Sequence, residues 1–400
     1  MILYGVIIMK YNFDKVVNRD NTNCSKWNFN KETFGYEDII SMWIADMDFE
    51  TVPEVKEEII NRAHHGIYGY TATAESYYKE VVNWMKKRHG WNIKKEWITN
   101  TPGIVMAVNT IVRTFTHSGD KVLLQRPIYY PFFKAINNNG CHIVNNPLKF
   151  DGKRYEMDFE DLDNKLSDPR VKIMILCSPH NPTGRVWTKE ELVKVGNLCL
   201  KHNVLVISDE IHSDLIYKPN KHIPFAAICK EFADISITCT APSKTFNLAG
   251  LQGSNIIISN EILMNEFKIA MENIGLSRLN IFASIACEAA YKYGEQWVEE
   301  LIDYLQENKE FAKKFIKEKV PMLKVIEPEG TYLLWIDCRE LKMSKEELEE
   351  FMLKEAGVAF DEGYIFGEEA IGFERMNIAC PREVLKGALE KIEKAISNKM

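Results

Sequence analysis

Thr240-Ala241-Pro242-Ser243-Lys244-Thr245-Phe246-Asn247-Leu248-Ala249-Gly250 follows Asp234-Ile235-Ser236-Ile237-Thr238-Cys239, a run with the residue types of a strand. A lysine just past a strand end can have its amine held and partly desolvated, ready to bond a carbonyl carbon. Most lysines are solvated surface residues, so Lys244 alone carries little. Two upstream segments change that. Val204-Leu205-Val206-Ile207-Ser208-Asp209-Glu210-Ile211-His212 is a hydrophobic run ending in acid. Earlier still, Ile173-Met174-Ile175-Leu176-Cys177 runs into Ser178-Pro179-His180-Asn181-Pro182-Thr183-Gly184. Three apolar strands thus each end in a polar cluster, with Asn181, Asp209 and Lys244. In open α/β sheets ligands sit beyond the carboxyl ends of parallel strands, and that geometry brings the three together.

The chain has 400 residues, enough to bury a large core in two structural domains. Its 46% hydrophobic and 27% charged residues are those of a globular protein. The net charge of −7, with no basic run, argues against a nucleic-acid partner, and no apolar stretch is long enough to span a membrane. Met1-Ile2-Leu3-Tyr4-Gly5-Val6-Ile7-Ile8-Met9 lacks the basic start and small-residue cleavage site of a signal peptide. Translation is expected to begin at Met9. The nine cysteines are scattered, without a C-x-x-C pair, and read as reduced thiols of a cytoplasmic protein.

Residues 15–40 look irregular. Ser41-Met42-Trp43-Ile44-Ala45-Asp46-Met47-Asp48-Phe49 is a short apolar segment entering a loop, and Pro53 opens a helix predicted to reach Ala63. A loop at Tyr68-Gly69-Tyr70-Thr71 precedes an amphipathic helix through Lys87. Trp97-Ile98-Thr99-Asn100 reads as a strand, followed after Thr101-Pro102-Gly103 by an apolar helix to about Thr116. Lys121-Val122-Leu123-Leu124-Gln125 is another buried-strand candidate. Thr188 and Glu191 fit a capping box, opening a helix with Leu192, Val195 and Cys199 on one face. A strand–helix–strand unit over residues 173–208 implies a parallel sheet with a right-handed crossover. Residues 288–320 follow one long charged helical pattern. Gly330 to Asp337 reads as a strand, Ser344 opens a second capping box, and Leu385, Leu389, Ile392 and Ile396 stripe a final helix. The expected division is a large domain over 58–287 and a smaller α+β domain over 288–400, with the N-terminal segment 1–57 packed on the latter.

The three strand-end clusters, in this order and spacing, resemble the landmarks of fold-type I pyridoxal-phosphate enzymes, the class I/II aminotransferase family. Trp43-Ile44-Ala45-Asp46-Met47-Asp48-Phe49 near the start and Arg375-Met376-Asn377-Ile378-Ala379 near the end are similar to the cystathionine β-lyase, or C–S lyase, branch of the MalY and PatB type. The resemblance covers the chain from about Met9. It implies an α/β fold with a mostly parallel seven-stranded sheet in the large domain, bound pyridoxal phosphate, and a homodimer with shared active sites.

By that resemblance Lys244 holds the cofactor as a Schiff base and then shuttles the Cα proton. Asp209 pairs with the pyridine nitrogen, Asn181 bonds the phenolic oxygen, and Tyr129 stacks on the ring, with Tyr130 its neighbouring rival. The Asn181-Pro182 bond is a candidate cis peptide. His212 stands where many aminotransferases of this fold have a tyrosine, which leans towards the lyase branch. The phosphate falls to the amides of Gly103, Ile104 and Val105, the hydroxyl of Ser243, and Tyr68 reaching across from a second subunit. An arginine often follows the lysine by eight residues to grip the phosphate. Here that position is Gln252, which keeps a donor without the charge. Arg375 clamps the substrate α-carboxylate, with Ala45 bordering it through its backbone.

His64-His65 has no metal-type partner spacing, so no metal is expected, and no Gly-rich nucleotide loop is present. The implied activity is β-elimination of L-cystathionine or a related thioether amino acid to a thiol, pyruvate and ammonia. A class I/II aminotransferase is the close alternative. A regulatory, partner-binding protein on the same fold is the alternative of another class.

Overall fold

The computed structural model describes residues 10–276 and 278–399. The expected start at Met9 lies outside the described residues. Seven strands form the large sheet: β1 (Ile98–Thr101), β2 (Lys121–Leu124), β3 (His142–Asn145), β4 (Val171–Cys177), β5 (Leu205–Asp209), β6 (Ser236–Thr240) and β7 (Ser254–Ile257). Their spatial order is β1-β7-β6-β5-β4-β2-β3. Only β7 runs antiparallel to the other six strands. The sheet is therefore mostly parallel, as the strand–helix–strand reading requires.

Alternation along β4 explains why its sequence is apolar from Ile173 to Cys177. Ile173, Ile175 and Cys177 pack on one face with Val108, Ile111 and Val112 of the helix Ile104–Phe115. Met174 and Leu176 pack on the other with Leu192, Val195 and Cys199 of the helix Lys189–His202. A strand covered on both faces has no polar side. The Thr188 capping box opens that second helix as predicted, and the Ser344 capping box opens another.

A second, antiparallel sheet of four strands lies towards the C-terminus, in the order β8 (Lys324–Ile326), β9 (Leu333–Asp337), β11 (Phe373–Asn377) and β10 (Asp361–Glu362). Ile40–Ser41 pairs in parallel with Val358–Ala359, tying the early chain to the late chain.

Several boundaries differ from the sequence reading. Asp234 ends a short helix, Lys230–Asp234, so β6 begins at Ser236. Asn30–Phe34 forms a helix inside the segment expected to be irregular. The charged pattern over 288–320 belongs to two helices, Ile281–Tyr293 and Glu295–Lys319, separated at Gly294. A Cβ at Gly294 would lie 2.2 Å from the Phe246 ring and 2.5 Å from the Ala290 carbonyl oxygen. Close packing at the junction thus demands glycine. The boundary drawn at residue 288 falls inside the first of these helices, which packs on the helices Pro53–His64 and Glu75–His89. Among the described residues no helix is long and apolar enough to cross a membrane.

Candidate active site

Register decides where the site forms. Cys177 at the end of β4 pairs with Asp209 at the end of β5, and Asp209 pairs with Cys239 of β6. The three strands therefore finish level, and the residues just beyond them share one space. A cavity of about 350 Å³ opens there. Its walls include Lys244, Asp209, Asn181, His212, Tyr129, Ser243, Gly103, Ile104, Val105, Arg375 and Ala45, all chosen from sequence.

Lys244 sits on a single helical turn, Pro242–Thr245, directly after β6. Its Nζ donates to the Ala45 carbonyl at 2.6 Å. Burial, reinforced by the Arg375 cation, pulls the Lys244 amine down to about 8, against the pull of Asp46, Asp209 and Asp361. Asp209 is buried and accepts from the Ile211 N–H at 3.1 Å. Burial pushes its carboxyl up to about 7. A carboxylate in that state gains most from a cationic partner supplied by a ligand.

His212 is buried with its Nδ1 unpartnered and its ring edge-on to Tyr332 at 5.9 Å. Burial, then the charges of Lys244 and Arg375, hold it down to about 3, so the imidazole is neutral. Asn181 follows a cis peptide at Ser178-Pro179 and forms another with Pro182. Its Oδ1 accepts from Arg375 Nη1 at 2.9 Å, which leaves its amide hydrogens for the cavity. Tyr129 packs edge-on to Phe132, and burial raises its hydroxyl to about 12. Tyr130 also lines the cavity.

At the other end, Gly103 precedes the helix Ile104–Phe115 with a φ of 104° and no side-chain cap. The Gly103 N–H donates to the Thr101 carbonyl at 2.8 Å. The donors presented here are thus the Ile104 and Val105 amides, which have no intrahelical acceptor. Gly103 contributes its left-handed conformation and an open face, since a Cβ there would meet nothing within 4 Å. Gln252 and Ser243 complete this end.

The loop from Trp43 to Phe49 forms the remaining wall, and its carbonyls are gripped one after another. Arg375 Nη2 donates to Trp43 O at 3.2 Å. Asn377 Nδ2 donates to Ile44 O at 2.7 Å and Asp46 O at 2.6 Å. Tyr332 and Lys244 both donate to Ala45 O. Asn247, in a left-handed conformation, donates to Met47 O and Phe49 O and accepts from Met47 N–H. Behind the loop, Arg19 and the fully buried Lys26 pair with Asp46 and Asp48.

Tyr68 is the one sequence-chosen residue outside the cavity in this chain. It is 57% exposed, and its hydroxyl donates to Ala63 O at 2.8 Å. Sequence reasoning missed Asp361, a cavity residue ion-paired with Arg375. It also missed the clamping roles of Asn247 and Asn377.

The pattern of the family described as "Aminotransferase class I and II" matches residues 37–392. Cystathionine beta-lyase PatB of Bacillus subtilis is 45% identical over 96% of this chain and 100% of its own length. A PLP-bound putative aminotransferase from Clostridium difficile 630 superposes with a TM-score of 0.95 at 46% identity, covering 96% of this chain and 100% of that one. Cystalysin from Treponema denticola, in a structure containing a pyridoxal 5'-phosphate cofactor, gives 0.95 at 40% identity over 98% and 100%. With its strand-end lysine, aspartate and asparagine gathered in one cavity, the chain belongs to the class I and II aminotransferase family, within the cystathionine β-lyase branch of the PatB and MalY type.

Proposed function

We propose that this chain is a pyridoxal-phosphate-dependent carbon–sulfur β-lyase that splits L-cystathionine or a related cysteine thioether into thiol, pyruvate and ammonia. One observation carries the reading. Lys244, Asp209 and Arg375 face one cavity in a chain 45% identical, over 96% of its length, to a cystathionine β-lyase.

The donor set fits the cofactor. An amine depressed to about 8 is available for covalent attachment. A buried carboxylate raised to about 7 awaits a cation such as a protonated ring nitrogen. The open amides of Ile104 and Val105 at a helix start suit a phosphate. When bound, the pyridoxal ring withdraws electrons from the amino acid's α-carbon, acidifying its Cα–H and letting a β-substituent leave.

The chain supplies the rest. Lys244 would hold the cofactor through its aldehyde carbon, and its amine is placed to accept a Cα proton. Asp209 would keep the ring nitrogen protonated, and the Asn181 amide would donate to the phenolic oxygen. Tyr129, in the cavity wall, would lie against the ring face, where stacking adds about 0.5–1.5 kcal/mol beyond burial. Ile104, Val105, Ser243 and Gln252 would take the phosphate. Arg375 orients the α-carboxylate, with Ala45 at its border. His212 stays neutral beside Lys244, so it adds no charge to oppose that lysine's own protonation change.

The working unit in this reading is a cytoplasmic homodimer, with Tyr68 of one subunit completing the phosphate end of the other's cavity. Ile67, Tyr68 and Tyr70 are exposed in the single chain, as are Val105 and Met106. Sedimentation showing a fully active monomer would overturn this part.

Transamination is the second reading, favoured by the putative aminotransferase of similar structure. The two are separated by giving the pyridoxal-phosphate-loaded protein L-cystathionine without a 2-oxo acid. Equal release of thiol and pyruvate over many turnovers supports the lyase. Absence of thiol, with pyridoxamine phosphate accumulating, establishes the aminotransferase instead.

A further inference from the structure

We propose that Asp361 sets the charge preference of the site, because it occupies Arg375 in the free chain and competes with the carboxylate of an entering amino acid. The proposal rests on the reading of Arg375 as the carboxylate clamp.

Asp361 and Arg375 are direct partners across the antiparallel pair β10–β11, so their side chains emerge side by side. Both are buried, both line the cavity, and Asp361 Oδ2 accepts from Arg375 Nη2. A guanidinium offers a carboxylate two edges with parallel N–H groups, one formed by Nε and Nη2, the other by Nη1 and Nη2. Both edges use Nη2. In this chain the two hydrogens of Nη2 are already assigned, one to Trp43 O at 3.2 Å and one to Asp361. Nη1 serves Asn181, and Nε is buried without a partner. Arg375 therefore holds free donors but no open two-pronged seat.

An entering carboxylate must displace the Trp43 carbonyl or Asp361. Displacing the carbonyl places two carboxylates on one buried guanidinium. Displacing Asp361 strands a buried carboxylate without its cation. Both outcomes oppose binding, and the opposition is electrostatic. The other cation facing Asp361 is Lys244. Burial pushes the Glu362 carboxyl up to about 7 and the Glu374 carboxyl well above its ordinary range, so neither brings a full negative charge to this pair, and the Tyr129 and Tyr130 hydroxyls stay neutral. A neutral residue at 361 removes the competition. A ligand with its carboxyl capped as an amide never meets it.

The test titrates the pyridoxal-phosphate-loaded protein with L-alanine and with L-alaninamide, which carry no β leaving group, and reads the cofactor's absorption. Asp361→Asn is expected to bind L-alanine about tenfold tighter, and L-alaninamide within about twofold of the unaltered protein. Asp361→Ser, which also removes the charge, is expected to shift binding the same way. The proposal is overturned if both variants leave L-alanine binding unchanged, weaken it, or tighten both ligands alike. That last pattern, or a weakening, is what a merely structural partner of Arg375 would give. Arg375→Lys separates this failure from failure of the underlying reading. If it leaves the preference for L-alanine over L-alaninamide intact, the clamp assignment falls, and the proposal with it. If it abolishes the preference while the Asp361 variants do nothing, only the role of Asp361 is refuted.

Discussion

Lys244 should behave as an unusually available amine before any cofactor arrives. Burial and the Arg375 cation bring it to about 8, from 10.5 for an ordinary lysine. At pH 7 an amine of that strength is about 9% unprotonated, against about 0.03% for an unperturbed lysine, a gain of about 300-fold in reactive form. Its 2.6 Å bond to the Ala45 carbonyl fixes the amine without neutralising it, since a carbonyl accepts from either protonation state. The measurement is the pH dependence of acylation by a small amine-reactive ester on cofactor-free protein. Peptide mass spectrometry would compare Lys244 with exposed lysines of the same chain, such as Lys87. The Lys244 rate should level off near pH 8 while the others keep rising beyond pH 9. Arg375→Gln removes the second cause of the shift, so its midpoint should move upward. A Lys244 profile indistinguishable from that of Lys87, or a midpoint that falls in Arg375→Gln, would refute the electrostatic account of this site.

Asp209→Asn cannot hold a proton on the ring nitrogen and should cut kcat by about a hundredfold or more while cofactor absorption persists; near-normal turnover would remove Asp209 from the mechanism. Asn247→Ala deletes three hydrogen bonds to the Trp43–Phe49 loop and should cost about 3 kcal/mol in urea unfolding, with KM rising because that loop carries Ala45. Asp214 accepts from Trp84, His89 and Thr245 and lies against Arg88, and despite its burial it is held down to about 2 from 3.8. A depressed carboxyl contributes fully above its unfolded value. About 2.5 kcal/mol of stability should therefore be present above pH 4 and fade as the pH falls towards 2. In Asp214→Asn that part of the acid dependence should be absent, which melts at pH 3 and pH 6 would reveal.

The part of the site that strand patterns alone make readable is the part built on parallel strands, whereas Arg375, on antiparallel β11, is reached only through the family resemblance. Asn181, Asp209 and Lys244 each end or follow an apolar run, and parallel pairing brings such ends level, as the Cys177–Asp209–Cys239 register shows. No comparable rule reaches Asp361. Its strand is two residues long, too short for any period, and its pairing with Arg375 follows from hairpin register. The loop clamps were hidden for a different reason. Asn247 and Asn377 bind backbone carbonyls, which every residue possesses, so no side-chain pattern in Trp43–Phe49 announces them. Gly294 carries no signal of its own in sequence, because a lone glycine is tolerated within a helical pattern, whereas here contact with Phe246 leaves no room for a side chain. Asn181, Asp209 and Lys244 surround the place assigned to the cofactor, whereas Asp361 and Asn377 lie on the antiparallel sheet that carries Arg375. Chemistry held by aligned strand ends is therefore readable from one sequence. Selectivity, which depends on what already occupies Arg375, is set by tertiary pairing and has to be taken from the structure.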